Sequence, residues 1–276
     1  MRRLLPLFVL LNACDSTGPS LPPGAMRFVP PAVYQEWWAL TEQCSGTTAD
    51  FSAVTWYRLP RGAGIPLGDG TFVNGRWDAV ENRIILDGES EFAGDLVRHE
   101  MLHALLRAGG HPRAMFIGRC GGVVVCTKAC ISDGGPPPQS DPNAQRISPS
   151  ELEVSVEVTP VAPNGSTNSG TLMMIVTARN PKAVPVVVQL PPSGDSGPSV
   201  DFRYRLDGYL GGTSYDMRAE SAEATEFSPL ESKRFIFDFH IGAGDTRYDL
   251  APATYQFNGA YSTNWAASPP TVLVSP

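Results

Sequence analysis

Two histidines four residues apart, His99 and His103, lie in the stretch DLVRHEMLHALLRAGGHP at residues 95–112. On an α-helix, positions four apart share a face and lie about 6 Å apart along the axis, so both imidazoles can bind one metal ion. Glu100 follows His99 directly, and its carboxylate can therefore reach a water held by that ion. The spacing predicts a zinc site with its own general base. The alternative is a buried helix with hydrogen-bonded core histidines and a solvated glutamate.

A catalytic zinc site usually has three protein ligands and a water, so a third ligand is expected. No aspartate or glutamate occurs between Ala104 and Ser132, and His111 is the one strong donor nearby. Gly109 and Gly110 can end the helix and turn the chain back, because glycine readily adopts positive φ. His111 is therefore the predicted third ligand.

His99, Glu100 and His103 form the H-E-x-x-H arrangement of zinc peptidases. The stretch resembles the metzincins, whose third histidine also follows a glycine turn. The resemblance implies a zincin-like metallopeptidase, a hydrolase in which zinc lowers the pKa of a bound water towards about 7 and polarises the scissile carbonyl. It also implies that Glu100 takes the proton of that water and passes it to the leaving amine.

The spacing of the third histidine departs from the metzincin pattern H-E-x-x-H-x-x-G-x-x-H. In that pattern the glycine falls at Leu106 and the third histidine at Gly109, whereas His111 comes two residues later. The departure predicts a helix that runs about half a turn longer before it bends. Met115 is the one methionine shortly after His111 and is the candidate for the methionine turn of the family.

The first half of the chain mixes element types. The patterns predict a helix over 31–44 with an aromatic inner face, a strand over 54–59, one or two strands over 77–86 and a long helix over 91–108. Together they predict an α+β, zincin-like domain over residues 26–131.

Zincins commonly bind an extended substrate along the edge strand that precedes the active-site helix. NRIILDG at 82–88 occupies that place in the sequence. The alternative is that this segment is a buried strand within the sheet.

The second half consists of short alternating segments separated by turn residues, which predicts an all-β sandwich over residues 151–276. Two regions, VTARNPKAVPVVVQL and FSPLESKRFIFDF followed by YDLAPATYQFNGAY, resemble bacterial immunoglobulin-like domains, including those similar to the intracellular proteinase inhibitor family. The resemblance implies the fold and says nothing about inhibition. A proline-rich linker is predicted over 132–150, and it predicts few contacts between the halves and independent folding of the second.

The opening MRRLLPLFVLLNACDS has two arginines, a short apolar run and then Leu-Asn-Ala-Cys. It resembles a bacterial lipoprotein signal, which implies a signal peptide over 1–14, acylation of Cys14 and a flexible tether over 15–25. The alternative is an ordinary signal peptide cut after Ala13. The apolar run is far shorter than the roughly 20 residues that span a bilayer. The expected location is the bacterial cell envelope, periplasmic or on the outer membrane, with a lipid anchor.

The other four cysteines are Cys44, Cys120, Cys126 and Cys130, an even number in a compartment where disulfides persist. Two disulfides are predicted, and of the three possible pairings Cys44 with Cys120 and Cys126 with Cys130 is favoured. A thiolate metal site within CGGVVVCTKAC is the alternative, although the segment lacks a C-x-x-C pair.

The charge balance of the chain indicates which classes of partner it can bind. The net charge is −7, with 21 basic and 28 acidic residues, which argues against a nucleic-acid partner.

The leading hypothesis is a zinc-dependent endopeptidase of the cell envelope that acts on peptides or proteins. The alternative is a non-catalytic surface module with a structural zincin-like domain and a β-sandwich that binds protein or glycan. Glu100 favours the enzyme, because a structural zinc site needs no general base.

Overall fold

The computed structural model describes residues 20–124, 126, 141–161, 170–189, 200–207, 214–219, 226–241, 249–250, 254–262, 264–268 and 271–272. The predicted signal peptide, Cys14, Cys130, residues 15–19 of the tether and residues 132–140 of the linker lie outside these residues. Within them, no helix has both the length and the apolar character needed to cross a bilayer.

The first half contains the helices α1 (Val33–Ser45) and α2 (Gly94–Leu106). Its strands are β1 (Met26–Arg27), β2 (Thr55–Arg58), β3 (Ile65–Pro66), β4 (Phe72–Val73), β5 (Gly75–Asp78) and β6 (Arg83–Leu86). Two shorter helices are a 3-10 helix at Phe51–Ala53 and a π-helix at Ala114–Arg119. One sheet has the order β1-β2-β6-β5, and β3 and β4 form a separate hairpin. This mixture agrees with the predicted α+β class.

Strand β6 lies inside this sheet, parallel to β2 and antiparallel to β5. All four of its side chains are buried, which is why its sequence is an almost unbroken apolar run. Of the two alternatives for the segment NRIILDG, the buried strand is therefore the one observed. The edge strand nearest to α2 in the chain is β5, which directly precedes β6.

The second half is built from strands in the described residues. They are β7 (Gln145–Ile147), β8 (Glu153–Val161), β9 (Gly170–Arg179), β10 (Val186–Val188), β11 (Val200–Asp207), β12 (Ser214–Ala219), β13 (Glu226–Phe227), β14 (Ser232–Ile241), β15 (Asp249–Leu250), β16 (Thr254–Tyr261), β17 (Asn264–Ala267) and β18 (Thr271–Val272). A 3-10 helix, Pro149–Glu151, follows β7. The end of the predicted linker thus contains a strand.

These strands form three sheets, with the orders β15-β14-β9-β8, β12-β11-β16-β17 and β13-β10-β7, and β18 pairs with β16. The first two sheets share a core that includes Met174, Val176, Phe237 and Phe257. Gly259 of β16 allows their close approach, because a Cβ there would lie 2.4 Å from a methyl carbon of Val176.

The two middle strands of the sheet β15-β14-β9-β8, β9 and β14, pack apolar side chains into cores on both faces. Along β14, Phe235, Phe237 and Phe239 pack into the core between the sheets, whereas Ile236 joins the core around the helices. Successive side chains of a strand point to opposite faces, so one strand serves both cores. Met173 and Ile175 of β9 join the same helix core, which also contains residues of α1 and α2 such as Trp37, Val97 and Met101.

The expectation of few contacts between the halves is therefore wrong. The reason is that α1 and α2 cover the outer face of β9 and β14 and share one apolar core with it. A domain that shares a core in this way cannot be removed without exposing apolar surface, which argues against independent folding of the second half.

Candidate metal centre

Three histidine nitrogens meet at one point of the first half. The Nε2 atom of His99 lies 3.1 Å from that of His103 and 3.1 Å from that of His111. The remaining pair, His103 and His111, is separated by 3.2 Å. Among the described residues, this is the one cluster of three or more histidine, cysteine or acidic side chains with metal-binding geometry. The structure thus brings together the three ligands expected from the sequence.

The spacing of these nitrogens fits a divalent metal. Two imidazole nitrogens bound to one tetrahedral zinc at ~2.0–2.1 Å lie roughly 3.3 Å apart. The observed separations of 3.1 to 3.2 Å are close to that value. Neutral imidazole is a ligand that zinc, copper, iron and nickel all accept, so the donor set fits zinc without selecting it over the others.

His103 is oriented for metal binding by its other ring nitrogen. Its Nδ1 atom lies 2.7 Å from the carbonyl oxygen of Ala108. A carbonyl can only accept, so the Nδ1 atom donates and the Nε2 atom of the neutral ring keeps a free lone pair. Burial lowers the pKa of His103 to about 4, and the proximity of His111 contributes in the same direction. The ring is therefore neutral at pH 7, as a metal ligand has to be.

The loop that brings His111 to the site differs from the expectation. Helix α2 ends at Leu106, and the chain turns at Arg107, which adopts the left-handed conformation with φ 52°. Neither Gly109 nor Gly110 is among the glycines with positive φ. The prediction that these glycines make the turn is wrong, as is the longer helix, because Arg107 itself caps α2 and the two extra residues extend the loop.

Glu100 is buried beside the histidines, with 5% of its surface exposed. Burial raises the pKa of its carboxyl to about 8, while a hydrogen bond from the backbone N–H of Trp77 and the charge of Arg76 oppose the rise. A carboxyl with a pKa near neutrality can both take up and release a proton. Gly75 makes room for it, since a Cβ there would lie 3.0 Å from Cγ and Oε1 of Glu100.

Two aromatic residues that the sequence did not single out for the site surround the histidines. The ring centroid of Phe116, on the π-helix, lies 4.9 to 5.0 Å from those of all three histidines. Trp77 of β5 stacks on His103 with an interplanar angle of 5°. No spacing rule links Phe116 to the helix α2, whereas the strand expected over 77–86 already contained Trp77.

Met115, the candidate for the methionine turn, lies directly before Phe116 on the π-helix. It is partly buried against a small cluster that contains Leu102, Phe116, Cys120 and Val124. The ring of its neighbour Phe116 contacts all three imidazoles.

A disulfide joins helix α1 to the end of the π-helix. Cys44 near the end of α1 is bonded to Cys120, which directly follows the π-helix, with an S–S distance of 2.02 Å. This is the pairing favoured from the sequence. Cys126 is also disulfide-bonded, and its proposed partner Cys130 lies outside the described residues. The first disulfide constrains the segment that carries Phe116.

No family model and no curated protein matches this chain. Several solved structures are similar over part of it, among them the following two. One is a Bordetella pertussis protein described provisionally as ApaA, at 13% identity and a TM-score of 0.25, covering 47% of this chain and 98% of its own. The other is the Northeast Structural Genomics Consortium target SoR45, at 11% identity and a TM-score of 0.25, covering 46% of this chain and 89% of its own.

Proposed function

We propose that this protein is a zinc-dependent endopeptidase of the zincin-like type. The observation that carries the proposal is the convergence of His99, His103 and His111 within 3.2 Å, with Glu100 buried next to them. A purely structural metal site is usually closed by four protein ligands. A site with three histidines and an adjacent carboxylate leaves one position for water and supplies a proton acceptor for it.

The residues have separate roles in this proposal. His99, His103 and His111 would hold the zinc, and the bound zinc would lower the pKa of a water and polarise the substrate carbonyl. Glu100 takes one proton from the attacking water and delivers it to the nitrogen of the leaving amine. The water oxygen first bonds to the carbonyl carbon, and the C–N bond then breaks as its nitrogen receives the proton, so the products are a carboxylic acid and an amine.

We infer that the substrate pairs with β5. This strand is paired with β6 on one side, and within the described part of the chain no strand pairs with its other side. The backbone N–H of Trp77 donates to Glu100, so the carboxylate lies beside β5. A peptide that adds to this edge as a further strand would have its backbone next to the three histidines.

We propose that the first half is a zincin-like domain and that the second half is an immunoglobulin-like domain. Support for the first is the histidine-bearing helix next to a small mixed sheet. Support for the second is the pair of facing sheets with mostly antiparallel strands.

The test of the proposed function is metal analysis combined with cleavage of an unbiased peptide library. We expect one zinc per chain and cleavage that a chelator abolishes and added zinc restores. A protein that binds zinc stoichiometrically but cleaves no peptide would favour the non-catalytic surface module. A protein that binds no zinc would contradict both.

We propose that the protein is a lipoprotein of the bacterial cell envelope, on the basis of the opening sequence and Cys14. Intact-mass analysis of the membrane fraction is expected to show a diacyl or triacyl cysteine at the N-terminus. An unmodified N-terminus at Asp15 or later would contradict this.

A further inference from the structure

A buried ion pair lies one residue before the first metal ligand. The side chain of Arg98 on α2 is fully buried, and its Nη1 atom lies 2.8 Å from Oδ2 of Asp238 on β14. The Asp238 side chain is 5% exposed. This ion pair therefore joins the helix that carries His99 and His103 to a strand of the second half.

Further directional contacts fix the same two side chains. The Nε atom of Arg98 donates to the carbonyl oxygen of Val123, and its guanidinium lies over the ring of Trp37 at 5.7 Å. Trp37 of α1 also donates from Nε1 to Oδ1 of Asp238, at 3.0 Å. Arg98 thus contacts α1, the segment after the π-helix and β14 at once.

Gly94 gives Asp238 a second contact with α2. A Cβ at this position would lie 2.4 Å from Cγ and Oδ2 of Asp238 and 2.8 Å from Nη1 of Arg98. Glycine is therefore needed for the carboxylate to reach the first turn of the helix. A carboxylate at a helix N-terminus also interacts favourably with the helix dipole. Asp238 contacts α2 at two positions one turn apart, which limits rotation of the helix about its axis.

Rotation of α2 is the motion that would disturb the metal ligands most. An imidazole nitrogen lies about 6 Å from the helix axis, so a rotation of about 10° moves it by about 1 Å. Metal–ligand distances tolerate deviations of only about 0.2 Å. The helix therefore has to be held to within a few degrees if His99 and His103 are to share one ion with His111.

Stability alone does not account for this ion pair. Replacing a buried ion pair by apolar residues of about the same volume is often neutral or stabilising, because burying two charges is costly. The cost is visible at Asp238, since burial raises the pKa of its carboxyl against the opposing effects of Arg98 and Trp37. Met173, Ile175 and Ile236 already provide apolar contact between the halves. What the ion pair adds is a contact between two specific side chains, Arg98 of α2 and Asp238 of β14.

We propose that Asp238 is a positioning residue for the metal centre: by fixing Arg98 and the first turn of α2, it holds His99 and His103 in ligand geometry. The sheet that contains β14 is then a functional part of the centre and not a separate module. The proposal rests on the proposed zinc site.

The test uses the full chain and two variants. Asp238→Asn keeps an oxygen that can accept the hydrogen bond from Nε1 of Trp37, but it removes the ion pair with Arg98. The double variant Arg98→Met/Asp238→Asn removes the unpaired charge as well, so its unfolding midpoint in denaturant is expected to be close to that of the wild type. Both variants are expected to bind zinc about tenfold more weakly in competition with a chelator. Both are also expected to alter the visible spectrum of the cobalt-substituted protein.

Two further variants complete the test. Gly94→Ala improves helix propensity but displaces Asp238, and it is expected to weaken zinc binding to a similar extent. Glu153→Gln removes an exposed ion pair with Arg179 on the same sheet and is the matched control, with unchanged zinc affinity. A folded double variant with wild-type zinc affinity and cobalt spectrum would overturn the proposal and leave the proposed function standing. A wild-type protein that binds no zinc would overturn both.

Discussion

Replacing Glu100 by glutamine is expected to reduce peptide cleavage by about 10²–10⁴-fold while zinc remains bound, because a positioned general base contributes that much to a rate. The substitution keeps the size of the side chain, and the amide oxygen can still accept the hydrogen bond from Trp77. The space left by Gly75 also suits glutamine. The three histidines are unchanged, so metal binding has no reason to fall. Zinc content and kcat/KM measured on the same preparation separate the two effects.

The control for this variant is Glu81→Gln, the same chemical change at an exposed position. It is expected to leave both zinc content and cleavage as they are. If Glu100→Gln cleaves peptides at the wild-type rate, Glu100 is not the general base. If it loses its zinc, then the carboxylate binds the metal itself and the roles assigned to the four residues have to be revised.

Replacing His111 by alanine is expected to weaken zinc binding by roughly a hundredfold. A site with four ligands contributes about 10–16 kcal/mol, so one ligand is worth about 3 kcal/mol if the ligands share it evenly. His99 and His103 remain on one helix and can still bind the metal weakly. Loss of the third ligand also removes one of the imidazoles that contact Phe116. Zinc affinity from competition with a chromogenic chelator measures the change.

His240→Ala is the matched control, because it removes the remaining histidine of the chain. It is expected to bind zinc as the wild type does. The opposite pattern, with tight zinc in His111→Ala and weak zinc in His240→Ala, would place the third ligand outside the cluster.

The three histidines of the candidate metal centre could be predicted from the sequence because helical spacing and donor chemistry are local properties. The residues that surround the histidines could not be predicted in this way. Phe116 reaches the histidines through a π-helix that no periodicity indicates, and the turn before His111 falls at Arg107, where glycine was expected. Arginine rarely adopts the left-handed backbone conformation, so conformational preference predicted the turn at the glycines two and three residues later.

The second half was predicted to consist of short strands, but the burial of these strands was not predicted. LMMIV in β9 is an unbroken apolar run, which is typical of a strand covered on both faces. Asp238 interrupts a similar run in β14 and could have indicated a buried charge with a partner. Which partner it finds depends on the packing of helices more than a hundred residues away, and no local pattern contains that information.

The hydrogen bond from Trp37 to Asp238 spans 201 positions, and this separation affects how the chain folds. Contacts between residues far apart in sequence slow folding, because the intervening loop has to close before the contact stabilises anything. As the chain is synthesised or exported from its N-terminus, α2 emerges long before β14. The helix that carries the ligands therefore stays incompletely packed until nearly the whole chain is present, and the metal centre is among the last parts of the molecule to reach its final form.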